Sequence, residues 1–160
     1  NKQNYPNNNY QHIKIYDKDP YIFDEKSFTH ISIIDNDIYF TSNINSLLYN
    51  CYKWLIFKGY LFLQVYNNIS DLKNNFLKIN FDSKYRIKYN YTSNFKEFAN
   101  NNSFYLIEQF KKRNKKRINN HTLYFYDIDY LLYSAKEIGF QHIKTKPINN
   151  FENIIILQKI

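Results

Sequence analysis

Methionine is absent from all 160 residues, position 1 included, so the chain reads as an excerpt of a longer protein. Glycine occurs only twice, at Gly59 and Gly139, which excludes any Gly-x-Gly turn. A single cysteine, Cys51, excludes an internal disulfide and points to a reducing, intracellular setting. No apolar run is long enough to span a bilayer, and no signal peptide is visible, so no membrane partner is expected. The histidines His12, His30, His121 and His142 lack the spacing of metal ligands, and Cys51 lies on an apolar helical face. Neither a metal site nor a cysteine nucleophile is expected.

What the chain does have is apolar and aromatic residues. They are abundant enough for a folded domain with a real core, and the length suits one domain over residues 1–160. Frequent Asn, Lys, Ile, Tyr and Phe fit an AT-rich genome, which lowers the meaning of any Asn or Lys run. The Asn-x-Ser/Thr triplets, such as Asn68-Ile69-Ser70, are then chance occurrences rather than glycosylation sites. The formal charge of +8 permits a polyanionic partner without requiring one.

Residues 1–9 read as a loop, and His12 to Tyr16 alternate as a strand ended by Asp17-Lys18-Asp19-Pro20. Thr29 to Ile34 form a nearly continuous β-branched, apolar run, the pattern of a parallel strand covered on both faces. His30 within it reads as a hydrogen-bonded core residue. Asn45 is a candidate cap for a helix over Ser46 to Phe57, whose buried stripe is Leu47, Leu48, Cys51, Trp54 and Leu55. Gly59 reads as its left-handed stop, and Tyr60 to Tyr66 as the next parallel strand. Between 76 and 126 the pattern becomes alternating and implies antiparallel hairpins through Leu77–Phe81, Tyr85–Tyr91, Phe104–Phe110 and His121–Phe125. A helix over Asp127 to Ile138, stopped by Gly139, precedes strands Phe140–Thr145 and Asn153–Leu157.

This order resembles the second half of a class I S-adenosylmethionine (SAM)-dependent methyltransferase. Tyr130 to Phe140 is similar to the family's final helix, which often ends Ala-x-x-x-Gly-Phe. Phe23 to Ile31 looks like Pro-Phe-x-x-x-Ser-Phe-Asp, with Thr29 where the Asp is common. Trp54 to Leu61 resembles Leu-x-Pro-Gly-Gly-x-Leu, with Phe57 and Lys58 replacing Pro and the first Gly. Phe28 to Ile31, Tyr39, Trp54 and Arg117 to His121 further resemble methyltransferase-like proteins of large DNA viruses and algae. The fold implied is α/β: a Rossmann-like sheet, mostly parallel, with an antiparallel carboxy-terminal hairpin and an antiparallel β insertion. The cofactor implied is SAM, bound jointly with an upstream half that would carry the glycine loop absent here.

The resemblance also assigns residues, all at carboxyl ends of strands, where open α/β sheets bind ligands. Asp17 and Lys18 fall where the family contacts adenine, although a turn Asp capping the next segment explains Asp17 equally. Ile34 and Tyr39 fall beside the cofactor. Asp35 and Asp37 fall where the methyl group meets its acceptor and are candidates to remove a proton; a polar strand-to-helix loop is the alternative. A catalytically silent methyltransferase-like module is the competing reading of the whole chain. Lys111 to Arg117 is the one conspicuous charge run, either a nucleic-acid contact or, the favoured reading, a solvated hairpin tip.

Overall fold

The computed structural model describes residues 21–74, 92–97 and 103–160. The expected strand His12–Tyr16, with Asp17 and Lys18, and the hairpin segments 77–81 and 85–91 lie outside the described residues. One four-stranded sheet has the order β1 (Phe28–Ile33), β2 (Leu55–Tyr66), β7 (Glu152–Lys159), β6 (Phe140–Pro147). β1 and β2 are parallel, and β7 runs antiparallel to both β2 and β6. Three of the four strands therefore point the same way. A second sheet, β3 (Thr92–Glu97), β4 (Ser103–Lys112) and β5 (Lys115–Tyr124), is wholly antiparallel. It supplies the expected insertion, with β3 as a strand the alternation did not single out.

Helix α1 (Ile44–Trp54) begins two residues before the expected start, because Asn43 rather than Asn45 caps it: Asn43 Oδ1 accepts the Ser46 N–H at 3.0 Å. At its other end Lys159 Nζ donates to the carbonyls of Tyr52 (2.6 Å) and Leu55 (2.8 Å), setting a cation at the negative pole of the helix. Helix α2 (Ile128–Ile138) ends, as its sequence implies, at Gly139 in the left-handed conformation (φ 115°). α1 and α2 pack against each other on one face of the sheet. Leu48, Cys51 and Trp54 of α1 and Leu131 and Ala135 of α2 meet Ile33, Leu61, Leu63, Val65, Ile155 and Leu157 of the strands in one core.

Two expectations about β1 and β2 are corrected by this packing. Among the described residues β1 is covered on one face, since α1 and α2 take the same side; Thr29, His30 and Ser32 are exposed. His30 is accordingly a surface residue, stacked on Tyr60 (centroids 5.7 Å apart) and Phe62 (6.1 Å). Gly59 is not the helix stop. α1 ends at Trp54, and Gly59 sits inside β2, where a side chain has no room. A Cβ there would lie 2.9 Å from the Ile56 carbonyl oxygen and 3.1 Å from that of Thr29 on β1.

The register explains why. Phe28 pairs with Leu55 but His30 pairs with Tyr60, so β2 bulges over 56–59, and Lys58 turns it with φ 63°. Lys58 thus holds a conformation natural to the glycine it replaces in the resembled motif. Lys58→Gly is expected to stabilise the protein by about 1 kcal/mol, and Gly59→Ala to destabilise it by about 1–3 kcal/mol. Urea titration of the two variants checks both signs, and a loss on Lys58→Gly would refute the strain argument.

Candidate functional site

The carboxyl end of β1 runs into Ile34-Asp35-Asn36-Asp37, and a 3₁₀ turn over Asp37–Phe40 follows. Asp35 (φ 55°) and Asn36 (φ 71°) are both left-handed, a pair of backbone angles that short polar side chains tolerate best. The double reversal lifts the chain out of the sheet at the end where α/β folds bind ligands. Asp35 N–H donates to Gln64 Oε1 on β2 at 3.1 Å, which ties the loop across the parallel pair.

Asn36 is buried, and its Oδ1 is an acceptor with no hydrogen-bond partner among the described residues. Buried acceptors are rarely left so, and this one has almost no surface of its own open to an approaching group. Asp37 reaches solvent, yet partial desolvation, reinforced by the charge of Asp35, raises its pKa above the ordinary Asp value. A carboxylate poised in that direction is a better proton acceptor than an ordinary one. Ile34 is 47% exposed at the mouth of the same loop, an apolar surface beside the two carboxylates.

Tyr39 lies beneath the loop rather than on its surface. It is fully buried, and its ring packs on Tyr66 and Phe125, with centroids 5.9 and 6.0 Å away. Its phenol oxygen accepts the Tyr66 N–H at 2.7 Å, and burial drives its pKa far up. Tyr39 therefore braces the loop against the carboxyl end of β2, and a ligand above the loop would not touch it.

A cleft of 350 Å³ is lined by Ser42, just after the 3₁₀ turn, and by Tyr124, Phe125, Tyr126, Asp127 and Tyr130. Tyr126 spans it: its hydroxyl donates to the Thr41 carbonyl at 2.7 Å, and its ring stacks on Tyr130 (6.2 Å, 16°). Burial, helped by Tyr130 and Tyr124, pushes the Tyr126 hydroxyl up to about 12, so it stays protonated and donating. The sequence reading missed these residues. The one available signal was Tyr126 and Tyr130 four apart at the start of a helix, and among 17 tyrosines it does not stand out. The β4–β5 hairpin reaches the loop through His121, whose ring meets Phe40 edge-on at 5.7 Å and whose Nε2 pairs with Glu108 at 3.1 Å. No cluster of His, Cys, Asp and Glu suited to a metal occurs among the described residues.

Strand order, parallel pair and carboxy-terminal hairpin have direct counterparts among solved structures. The PH0226 protein of Pyrococcus horikoshii superposes with a TM-score of 0.60 over 87% of this chain, at 13% identity. An S-adenosylmethionine-dependent methyltransferase of Clostridium acetobutylicum superposes with a TM-score of 0.60 over 84% of the chain, at 10% identity. This is the methyltransferase fold. The CcbJ methyltransferase of Streptomyces caelestis shares it too, with a TM-score of 0.57 over 84% of the chain and 8% identity. The chain spans 57%, 59% and 62% of the lengths of these three proteins. By sequence alone, no family model and no curated protein matches.

Ile34, Asp35, Asn36 and Asp37 together present an apolar side chain, an unpartnered buried acceptor and two carboxylates at the carboxyl end of β1. Neither glycine fits a cofactor cradle, since Gly59 is taken up by the bulge and Gly139 by the end of α2. No helix among the described residues is long and apolar enough to cross a membrane.

Proposed function

We propose that residues 1–160 form a single domain, the second half of a SAM-dependent methyltransferase, and that Asp35 and Asp37 work at the acceptor side of its site. The observation that carries the reading is the loop at the end of β1. Two consecutive left-handed residues and a buried, unpartnered Asn36 Oδ1 cost stability, and such costs persist where a site is held ready for a ligand. Bound SAM supplies an electrophilic methyl group on a sulfonium sulfur. Asp37, with its raised pKa, takes the proton that the acceptor sheds, and Asp35 keeps the loop negative toward an attacking amine or hydroxyl. Ile34 walls the cofactor, Tyr39 fixes the loop from below, and Asp17 and Lys18 serve the adenine side. The cleft lined by Ser42, Tyr126, Asp127 and Tyr130 receives the acceptor.

The test is tritiated-methyl SAM with the longest natural chain containing these residues, using extract separated into RNA, protein and small-molecule pools as acceptor. Label should enter one pool, and absence of measurable SAM binding by that chain would end the enzymatic reading. The second reading, a silent methyltransferase-like module acting as a binding or regulatory subunit, draws on the glycine count. A natural chain with no Gly-x-Gly turn upstream of residue 1 would favour it.

A further inference from the structure

We propose that the β4–β5 hairpin is a nucleic-acid-binding arm that grips the phosphodiester backbone with Lys112, Arg113, Lys115 and Arg117. The inference goes beyond the methyl-transfer reading and does not rest on it. β4 and β5 pair without interruption from Ser103–Tyr124 to Lys112–Lys115, leaving Arg113 and Asn114 as a two-residue turn. From Lys111 to Arg117 every residue is exposed, six of the seven are cationic and none is acidic. The one acid of the two strands, Glu108, pairs with His121 nearer the base of the hairpin.

Two features set this tip apart from a solvated one. Lys111 faces Lys116 directly across the ladder, where like charges destabilise a pair of strands. Arg113 moreover holds φ 51° at the first turn position, where a two-residue hairpin with one left-handed residue calls for glycine. Both penalties fall on the same few residues, and a bound polyanion relieves the first outright. Codon bias toward lysine does not explain the second: of the chain's three arginines, Arg86, Arg113 and Arg117, two stand at this tip.

Shape selects the partner. Phe110, Lys112, Lys115, Arg117 and Asn119 share one face of the ribbon by register and, with Arg113, Asn114 and Lys116, line a concavity at the tip, where Arg117 Nε donates to Asn119 Oδ1 at 3.0 Å, which aims the guanidinium. Alternate residues along a strand lie about 6.6 Å apart on one face, so Lys115 and Arg117 form a short row on β5, with Lys112 opposite on β4 and Arg113 at the turn, able to meet successive phosphates. A two-stranded ribbon is also of a size to enter a nucleic-acid groove. An anionic membrane would instead call for an apolar side chain at the turn, and Arg113-Asn114 offers none.

Fluorescence anisotropy with labelled single-stranded RNA and duplex DNA of equal length, titrated with salt and without SAM, tests this. Two variants are needed. Replacing Lys112, Arg113, Lys115 and Arg117 with Ser is expected to weaken binding at least 30-fold. The slope of log affinity against log salt should fall by about 3, four lost phosphate contacts at roughly 0.7–0.9 each. Arg113→Gly should raise the thermal midpoint, since it relieves the turn, and still weaken binding several-fold, so that misfolding cannot account for the loss. Unchanged affinity in the fourfold variant would overturn the proposal. So would tighter binding to phosphatidylserine vesicles than to either nucleic acid. The strand type bound more tightly names the natural ligand's form.

Discussion

Replacing Asp37 with Asn is expected to lower methyl transfer about 100-fold or more, the usual contribution of a positioned general base, without weakening the fold. The two effects separate because the raised pKa is itself a cost. Partial burial and Asp35 hold the folded-state pKa above the unfolded one. The group therefore favours the folded state most when both states are protonated. Stability falls as pH rises through the unfolded and then the folded pKa, and the penalty is complete at neutral pH. Asn, neutral and of the same shape, removes that penalty. Thermal midpoints should accordingly show Asp37→Asn equal to or above the parent at pH 7, with the advantage gone in acid. Label uptake from tritiated SAM measures the catalytic loss. Activity within a few-fold of the parent would strike Asp37 from the role of base and leave Asp35 to be tested in the same way.

Tyr39→Ala should be the most destabilising change at the loop, at about 3–5 kcal/mol, because it removes a fully buried ring packed between Tyr66 and Phe125. Tyr39→Phe keeps the ring and removes only the acceptor for the Tyr66 N–H. A buried donor that loses its acceptor costs about 1–3 kcal/mol. Urea denaturation of the pair separates packing from hydrogen bonding. If Tyr39→Phe left stability unmoved, the 2.7 Å bond would not be what braces the loop, and packing alone would hold it. If both variants were destabilised in these proportions, SAM binding should weaken further in Tyr39→Ala, whose loop loses its floor.

Much of this architecture was legible in the chain because it rests on local rules. The apolar run before Asp35, the helical stripe through Leu48, Cys51 and Trp54, and the Gly139 stop each follow from periodicity or from backbone freedom. Arg113 and Asn114 turn a hairpin whose flanking strands alternate visibly. The exposure of 111–117, and the burial of Trp54 and Leu55, follow from the same patterns. Where the reading slipped, a local rule had two solutions. Asn43 and Asn45 are equally good caps by type, and only the geometry of the entering chain chose Asn43. Gly59 satisfies a helix stop and a close strand approach equally well, and only the nearness of the Thr29 carbonyl on β1 decided for the strand.

Other features depend on residues far apart in sequence, and no pattern along the chain encodes them. That β7 inserts between β2 and β6 follows from pairings such as Leu61 with Leu157, nearly a hundred positions distant. That β1 has one face open among the described residues follows from α1 and α2 choosing the same side of the sheet. The candidate site divides in the same way. Asp35 and Asp37 could be named from the sequence because a strand's carboxyl end is a sequence position. The burial of Asn36 Oδ1, the placing of Tyr39 beneath the loop, and the meeting of Thr41 with Tyr126 could not. Each depends on what the rest of the chain packs against the loop, and that exists only once the sheet, the two helices and the hairpin have come together.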